Sequence, residues 1–273
     1  MKLRILILLI AMCTAVVSCS REPVDEHLVV DGWIEDGGYP VVKLTSSIAV
    51  AEGALSSDDI AAHVLRWATV TVSDGEKTVF LTGMKDNRYF PPYVYTTYNM
   101  KGEAGKTYTL NVKYGKTEVS AEATIPEPQP LDTLYAEPAS DGYVLRASFD
   151  AKADGRYIFF AQRDSLDSEY LLCQFSLVDG STVKDKFEQV VYTGFSVRDV
   201  DYMIRYAPGE HVSVRFCNVD GPAFEFWRGY MDEWIFSRSP FFPVSASPMS
   251  NVTGGYGVWA GYGATYYEID IPE

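Results

Sequence analysis

The side chain whose type and setting most clearly invite chemistry is Cys19. It ends the stretch Ala15-Val16-Val17-Ser18-Cys19, which closes an apolar run that begins at Ile5, behind the basic Lys2 and Arg4. A basic start, a short apolar core and a small residue before the cut are the parts of a secretory signal. A cysteine directly after that small residue makes this the lipoprotein form: the signal peptidase cuts before Cys19, and the thiol carries lipid. An ordinary signal peptide with a cysteine nearby is the plainer alternative. The run is too short to span a bilayer, which takes about 20 residues. Residues 1–18 are therefore expected to be a lipoprotein signal peptide. Anchoring would then come from acyl chains, at about 0.8 kcal/mol for each buried CH₂.

No other constellation announces a reaction. The histidines are His27, His63 and His211, far apart and with no cysteine at zinc-ligand spacing. Each reads as a surface histidine. No G-x-S-x-G nucleophile elbow occurs. The glycine-rich tail around Gly254 to Gly263 lacks the Gly-Lys-Ser/Thr of a phosphate loop and is aromatic instead, which suits close backbone approach. Asp150 to Gly155 resembles the start of a calcium loop, but Lys152 and Ala161 stand where ligands are required, so a hairpin turn is expected. Glycoside hydrolysis needs two carboxylates across a cleft, and no spacing selects two among 37 acids. The expectation is a non-enzyme with no metal and no cofactor.

Aromatic clusters support binding instead. Tyr89, Phe90, Tyr93 and Tyr95 lie in one loop-like stretch, and Phe241, Phe242, Trp259 and Tyr262 lie near the C-terminus. Exposed aromatics anchor interfaces and sugars; packing in a core or between domains is the rival reading. The prolines at 91 and 92 keep the first cluster off a central strand.

The elements that must position these residues are mainly strands. The 19 Tyr and 14 Phe, with frequent Thr and Val, favour β-structure. Residues 19–26 form a polar, lipid-anchored tether. Residues 27–125 are expected to be an N-terminal β-sandwich of immunoglobulin or fibronectin type, built from short strands with turn signals. Its clearest hairpin runs from Thr107 to Ile125, alternating over both arms. A short helix is expected within Ser56 to Arg66. Pro126, Pro128 and Pro130 cannot continue a ladder, so 126–131 reads as a linker. Residues 132–273 form a second, sandwich-like β-domain. It carries one amphipathic helix at about 222–238, announced by Asp220-Gly221-Pro222 and packed on the sheet. Tyr266 to Ile271 should pair within this domain. Cys173 and Cys217 sit in strand-like runs, and buried free thiols are favoured over a bridge.

The chain carries a net charge of −14. Loss of residues 1–18 removes Lys2 and Arg4 and leaves 21 basic against 37 acidic residues, or −16. That surface disfavours nucleic acid and anionic lipid heads.

Val29-Val30-Asp31-Gly32-Trp33-Ile34, Ala68 to Gly75, Gly105 to Leu110 through Ile125-Pro126, and the segment from Asn251 to Tyr262 stand in a consistent order. Together they resemble the Bacteroidetes lipoproteins grouped as domain of unknown function 4249, over nearly the whole mature chain. The resemblance implies an outer-membrane lipoprotein, often encoded beside a TonB-dependent receptor, and supplies no catalytic residues. Acidic residues behind Cys19 resemble the surface-export signals of such proteins, so the surface face is favoured over the periplasmic one. Asp132-Thr133-Leu134 and Asp164-Ser165-Leu166 resemble their O-glycosylation triplets, at Thr133 and Ser165. The expected function is an accessory component that binds ligand or partner for a TonB-dependent transporter. A fimbrial or adhesive subunit is the alternative, and a hydrolase of surface glycans the third reading.

Overall fold

The computed structural model describes residues 27–47, 61–164, 166–183, 186–195, 205–236 and 249–273. Cys19, Ser165, Phe241 and Phe242 lie outside the described residues, as do the signal and the tether. The chain is mainly β, as its composition implies. The first half supplies β1 (Leu28–Glu35), β2 (Val41–Ser46), β3 (Thr69–Ser73), β4 (Thr78–Met84), β5 (Val94–Thr96), β6 (Thr107–Tyr114) and β7 (Thr117–Thr124). The second half supplies β8 (Thr133–Ala139), β9 (Gly142–Asp150), β10 (Arg156–Arg163), β11 (Leu171–Asp179), β12 (Lys186–Val191), β13 (His211–Val219), α1 (Gly221–Phe236) and β14 (Tyr256–Asp270). Of the short helix expected within 56–66, residues 61 and 62 are helical, and Val64 already bridges to Thr45.

Eleven strands form one sheet in the order β11-β10-β13-β14-β1-β2-β5-β4-β3-β6-β7, and β12-β9-β8 form a second, smaller sheet. The period-two alternation of the hairpin β6–β7 holds: Tyr108, Leu110 and Val112, with Val119, Ala121 and Ala123, point into the first core. The second core lies between the small sheet and the large one, where Leu145, Ala147 and Phe149 meet Tyr157, Phe159 and Phe216. Helix α1 covers the opposite face of the same strands through Ala223, Phe224, Met231 and Trp234. Asp220 starts it. One oxygen of its carboxylate accepts the Ala223 N–H at 3.0 Å, and the other accepts the Thr124 N–H at 3.0 Å, so the helix cap also fastens the end of β7.

The halves share the large sheet. Residues 256–262 of β14 run parallel to β1, and residues 262–270 run antiparallel to β13. The last strand therefore completes the first half's sheet before it enters the second's. Trp259 is fully buried in the first core and donates Nε1–H to the Tyr108 carbonyl at 2.9 Å. Its ring packs against Gly32, directly opposite in the ladder, where an added Cβ would stand 3.0 Å from the ring. Gly261 serves the same crossing: a Cβ there would meet the Thr124 carbonyl at 2.3 Å. The proline segment 126–131 is strapped down as well. Asn218 donates to the Glu127 carbonyl at 3.0 Å, and the Leu131 N–H donates to Tyr267 at 2.6 Å. Local alternation shows a strand's two faces but not its ladder partners, so the boundary at 126–131 hides a strand that serves both sides.

Candidate ligand-binding cleft

Where the two halves join, one face of the large sheet floors a cleft of about 560 Å³. Alternation decides which side chains reach it. On β1, Leu28, Val30 and Ile34 face the first core, so Asp31, Trp33 and Glu35 face the cleft. On β13, Val212, Val214 and Phe216 face the second core, so Ser213, Arg215 and Cys217 take the opposite side. Ladder register then sets neighbours side by side: Phe160 opposite Arg215, Arg215 opposite Tyr266, Glu35 opposite Tyr262, and Asp31 opposite Lys43. One wall is the aromatic edge of α1, with Trp227 and Tyr230. The other is the loop carrying Tyr89 and Phe90, together with residues 168–172.

Two cations are buried in this floor. Lys43 ion-pairs with Asp31 at 2.7 Å and Glu169 at 3.1 Å, and it reaches the Phe90 carbonyl at 3.5 Å. Three acceptors meet the three donors of an ammonium. Burial works against its charge, but the two carboxylates more than offset that and hold its pKa above the usual lysine value. Burial raises the Glu169 carboxyl, against the pull of Lys43.

Arg215 is held differently. Its guanidinium packs against Phe160 at 4.4 Å, Tyr170 and Tyr262 at 5.1 Å each, and Trp33 at 5.8 Å from the ring centres. Desolvated contacts of this kind contribute about 2 kcal/mol, less than the several kcal/mol that burying an ion costs. Its Nε is buried with no hydrogen-bond partner. Among the described residues no carboxylate lies at ion-pair distance. Glu35 is near enough to help hold its pKa up against burial, yet the Glu35 carboxylate is engaged by the Tyr266 hydroxyl at 2.6 Å.

The aromatic candidates divide three ways. Tyr89, Phe90 and Tyr262 line the cleft. Tyr93, Tyr95 and Trp259 pack with the first core instead; the Tyr95 hydroxyl donates to the Leu65 carbonyl at 2.9 Å. Tyr95 and Trp259 are buried ring anchors for that core, and Tyr93 is half-buried at its edge. Phe241 and Phe242 fall outside the described residues. Thr133 is exposed on β8, with its hydroxyl 2.7 Å from Ser148. The cleft residues that the sequence reading passed over are Asp31, Lys43, Glu169 and Arg215. Lys43 and Arg215 carried a signal: each is a charge set between apolar residues in a strand whose two faces are both covered.

Among the described residues no group of three or more His, Cys, Asp or Glu is placed to hold a metal ion. His63 touches Ser46 at 2.8 Å, and His211 lies on the surface beside Asp270. Cys173 and Cys217 are free and buried, in the cores on opposite faces of the sheet. Burial raises both thiols, Cys217 to about 12, which makes them poor nucleophiles. The structure does bring three carboxylates, Asp31, Glu35 and Glu169, into one cleft, but Asp31 and Glu169 share a single ammonium and Glu35 is engaged by the Tyr266 hydroxyl. No described helix is long and apolar enough to cross a membrane.

A family model described as "Domain of unknown function (DUF4249)" matches residues 18–268, and the chain belongs to that family. No curated protein matches it significantly.

Proposed function

We propose that this member of the DUF4249 family is a non-enzymatic outer-membrane lipoprotein that holds a ligand in the cleft and presents it to a TonB-dependent transporter. The observation that carries the reading is the cleft itself: a concave floor with aromatic walls and a few charged groups at fixed positions, which is the usual make-up of a ligand site. Cys19 supplies the anchor in this reading. A tether over residues 20–26 spans at most about 25 Å when fully extended, so the β-body works within reach of an integral partner.

The rival of a strand-exchanging fimbrial subunit gains nothing from the C-terminal strand, because residues 262–270 of β14 pair with β13 of the same chain. The rival of a glycan hydrolase has Asp31 and Glu169 in its favour, but Lys43 binds both.

The test is recovery of the full-length, tagged protein at native expression from the outer-membrane fraction after cross-linking. A TonB-dependent receptor is expected as its partner, and recovery with no integral receptor would sink the reading. Cys19→Ala should fold and leave the membrane fraction; retention there would place the anchor elsewhere.

A further inference from the structure

Resting on the reading of the cleft as a ligand site, we propose that Arg215 is the receptor for an oxyanion, a carboxylate or phosphate carried on an apolar or aromatic body. Lys43 shows what this cleft does with a cation meant to be internal: it surrounds it with two carboxylates and a carbonyl. Arg215 is just as buried, 7 % exposed, and receives no such partner among the described residues. Its close neighbours are ring systems packed around the guanidinium carbon, and they offer its in-plane N–H donors no carboxylate or carbonyl oxygen. A fork of donors in a dry site matches a planar oxyanion through two parallel bonds.

The surroundings fix the rest of the ligand. Tyr262 is already engaged by the Trp227 Nε1–H at 3.0 Å, and Tyr266 is turned to Glu35. Much of the remaining surface near Arg215 is aromatic ring, from Trp33, Phe160 and Tyr170, which suits an apolar body. Glu35, on the neighbouring strand across β14, sets a limit: it repels a second negative charge. The site therefore suits a singly charged group better than a polyanion.

Full-length protein is titrated with benzoate, phenyl phosphate and the neutral benzamide, followed by NMR on the tryptophan side chains. Trp33 and Trp227 report the cleft, and Trp259 reports the core. Wild type should bind an oxyanion at least about tenfold more tightly than benzamide, the worth of one charge-assisted pair. Phenyl phosphate carries about −1.5 to −2 at pH 7, so benzoate should bind the more tightly, and the order of the two tells a carboxylate from a phosphate. Arg215→Met should erase that preference while still binding benzamide, and Arg215→Lys, which keeps the charge without the fork, should retain only part of it. Glu35→Gln leaves Arg215 intact and should tighten oxyanion binding; it carries the test if Arg215→Met fails to fold.

Equal binding of benzoate and benzamide by wild type overturns the assignment, as does a preference that survives in Arg215→Met or an oxyanion affinity unmoved in Glu35→Gln. Benzamide binding that shifts Trp33 and Trp227 would then leave the cleft reading standing. If no probe shifts them, the cleft reading falls too.

Discussion

Lys43 and Arg215 stand on the same face of one sheet, both buried, and the fold treats them in opposite ways. Around Lys43 every donor has an acceptor, and the two acids come from different places: Asp31 is its ladder partner, and Glu169 arrives from the second half. The ion cluster closes the joint between the halves. Around Arg215 the compensation is aromatic, and Nε is left without a partner. An unsatisfied buried polar group costs about 1–3 kcal/mol, so a stable fold keeps few of them. One region reads as a fastening and the other as a vacancy for charge.

The largest expected effect breaks the fastening. Lys43→Met leaves Asp31 and Glu169 close together with no cation, and should cost about 3–5 kcal/mol in urea unfolding at neutral pH. Its pH dependence checks the cause. The Glu169 carboxyl is already raised in the native fold. A raised carboxyl contributes stability that is complete below its unfolded value of about 4.3 and is lost as pH rises through the folded value. Removing Lys43 raises Glu169 further, so the variant's deficit should shrink on acidification. Lys43's own contribution is complete below the ordinary lysine value of about 10.4 and so stays flat across the neutral range. Glu169→Gln added to Lys43→Met should recover part of the loss. A cost under about 1 kcal/mol for Lys43→Met would mean the cluster is not a fastening.

Asp220 tests compensation of a third kind, in which backbone dipoles hold a half-buried carboxylate. It caps α1 and holds the Thr124 N–H. Asp220→Ala should cost about 1–2 kcal/mol by thermal or urea unfolding, the upper range for a lost cap, because two N–H groups lose their acceptor. Asp220→Asn keeps one acceptor oxygen and turns its NH₂ on the other N–H, so it should recover only part of it.

Arg215→Met is the counterpart of Lys43→Met and should behave unlike it. An apolar chain of similar length keeps the contact with Phe160 and Tyr262 and removes an uncompensated ion. Stability should change by no more than about 1 kcal/mol in either direction. A loss as large as that from Lys43→Met would make Arg215 a second fastening and remove the contrast between the two sites.

How much of this could be read from the sequence follows from what alternation encodes. The hairpin β6–β7, the mainly β character and helix α1 were legible, because period two and period 3.6 are local signals. The helix runs from Gly221 to Phe236, close to the expected 222–238. Which strands meet is not local. The parallel pairing of β1 with β14 joins residues more than two hundred positions apart, and no turn signal announces it. The cleft inherits that blindness, since its floor exists only when β13, β14, β1 and β2 lie side by side. The motif Val30-Asp31-Gly32-Trp33-Ile34, which by itself carries only the family resemblance, lies on that floor. Gly32 is small because Trp259 crosses it on one face, while Asp31 and Trp33 reach the cleft on the other. The aromatic clusters divide between cleft and core. Tyr89 and Phe90 reach the cleft, but Tyr95 and Trp259 fill the first core, and composition alone cannot tell a ring that waits for a ligand from one that fills a core.

His211 gives the smallest effect and isolates burial from partner number. It lies 2.6 Å from Asp270, 3.1 Å from Glu268 and 4.0 Å from Asp164, so it has more acidic neighbours than Lys43, but it sits in water. The hydrogen bond to Asp270, with the charges of Asp164, Asp270 and Glu268, raises its pKa above the ordinary histidine value. A raised histidine contributes stability that is complete below about 6.5, its unfolded value, and is lost as pH rises through the folded one. NMR titration should place the His211 imidazole above the ordinary value. In urea, wild type should lead His211→Gln slightly at pH 5.5 and not at all at pH 9. The lead should stay far below the loss from Lys43→Met, because solvent screens exposed pairs. If His211→Gln proved as costly as Lys43→Met, the number of acidic partners rather than burial would set the strength of a cluster. The bare guanidinium of Arg215 would then lose its main argument, since what marks it out is that it is buried and still unpaired.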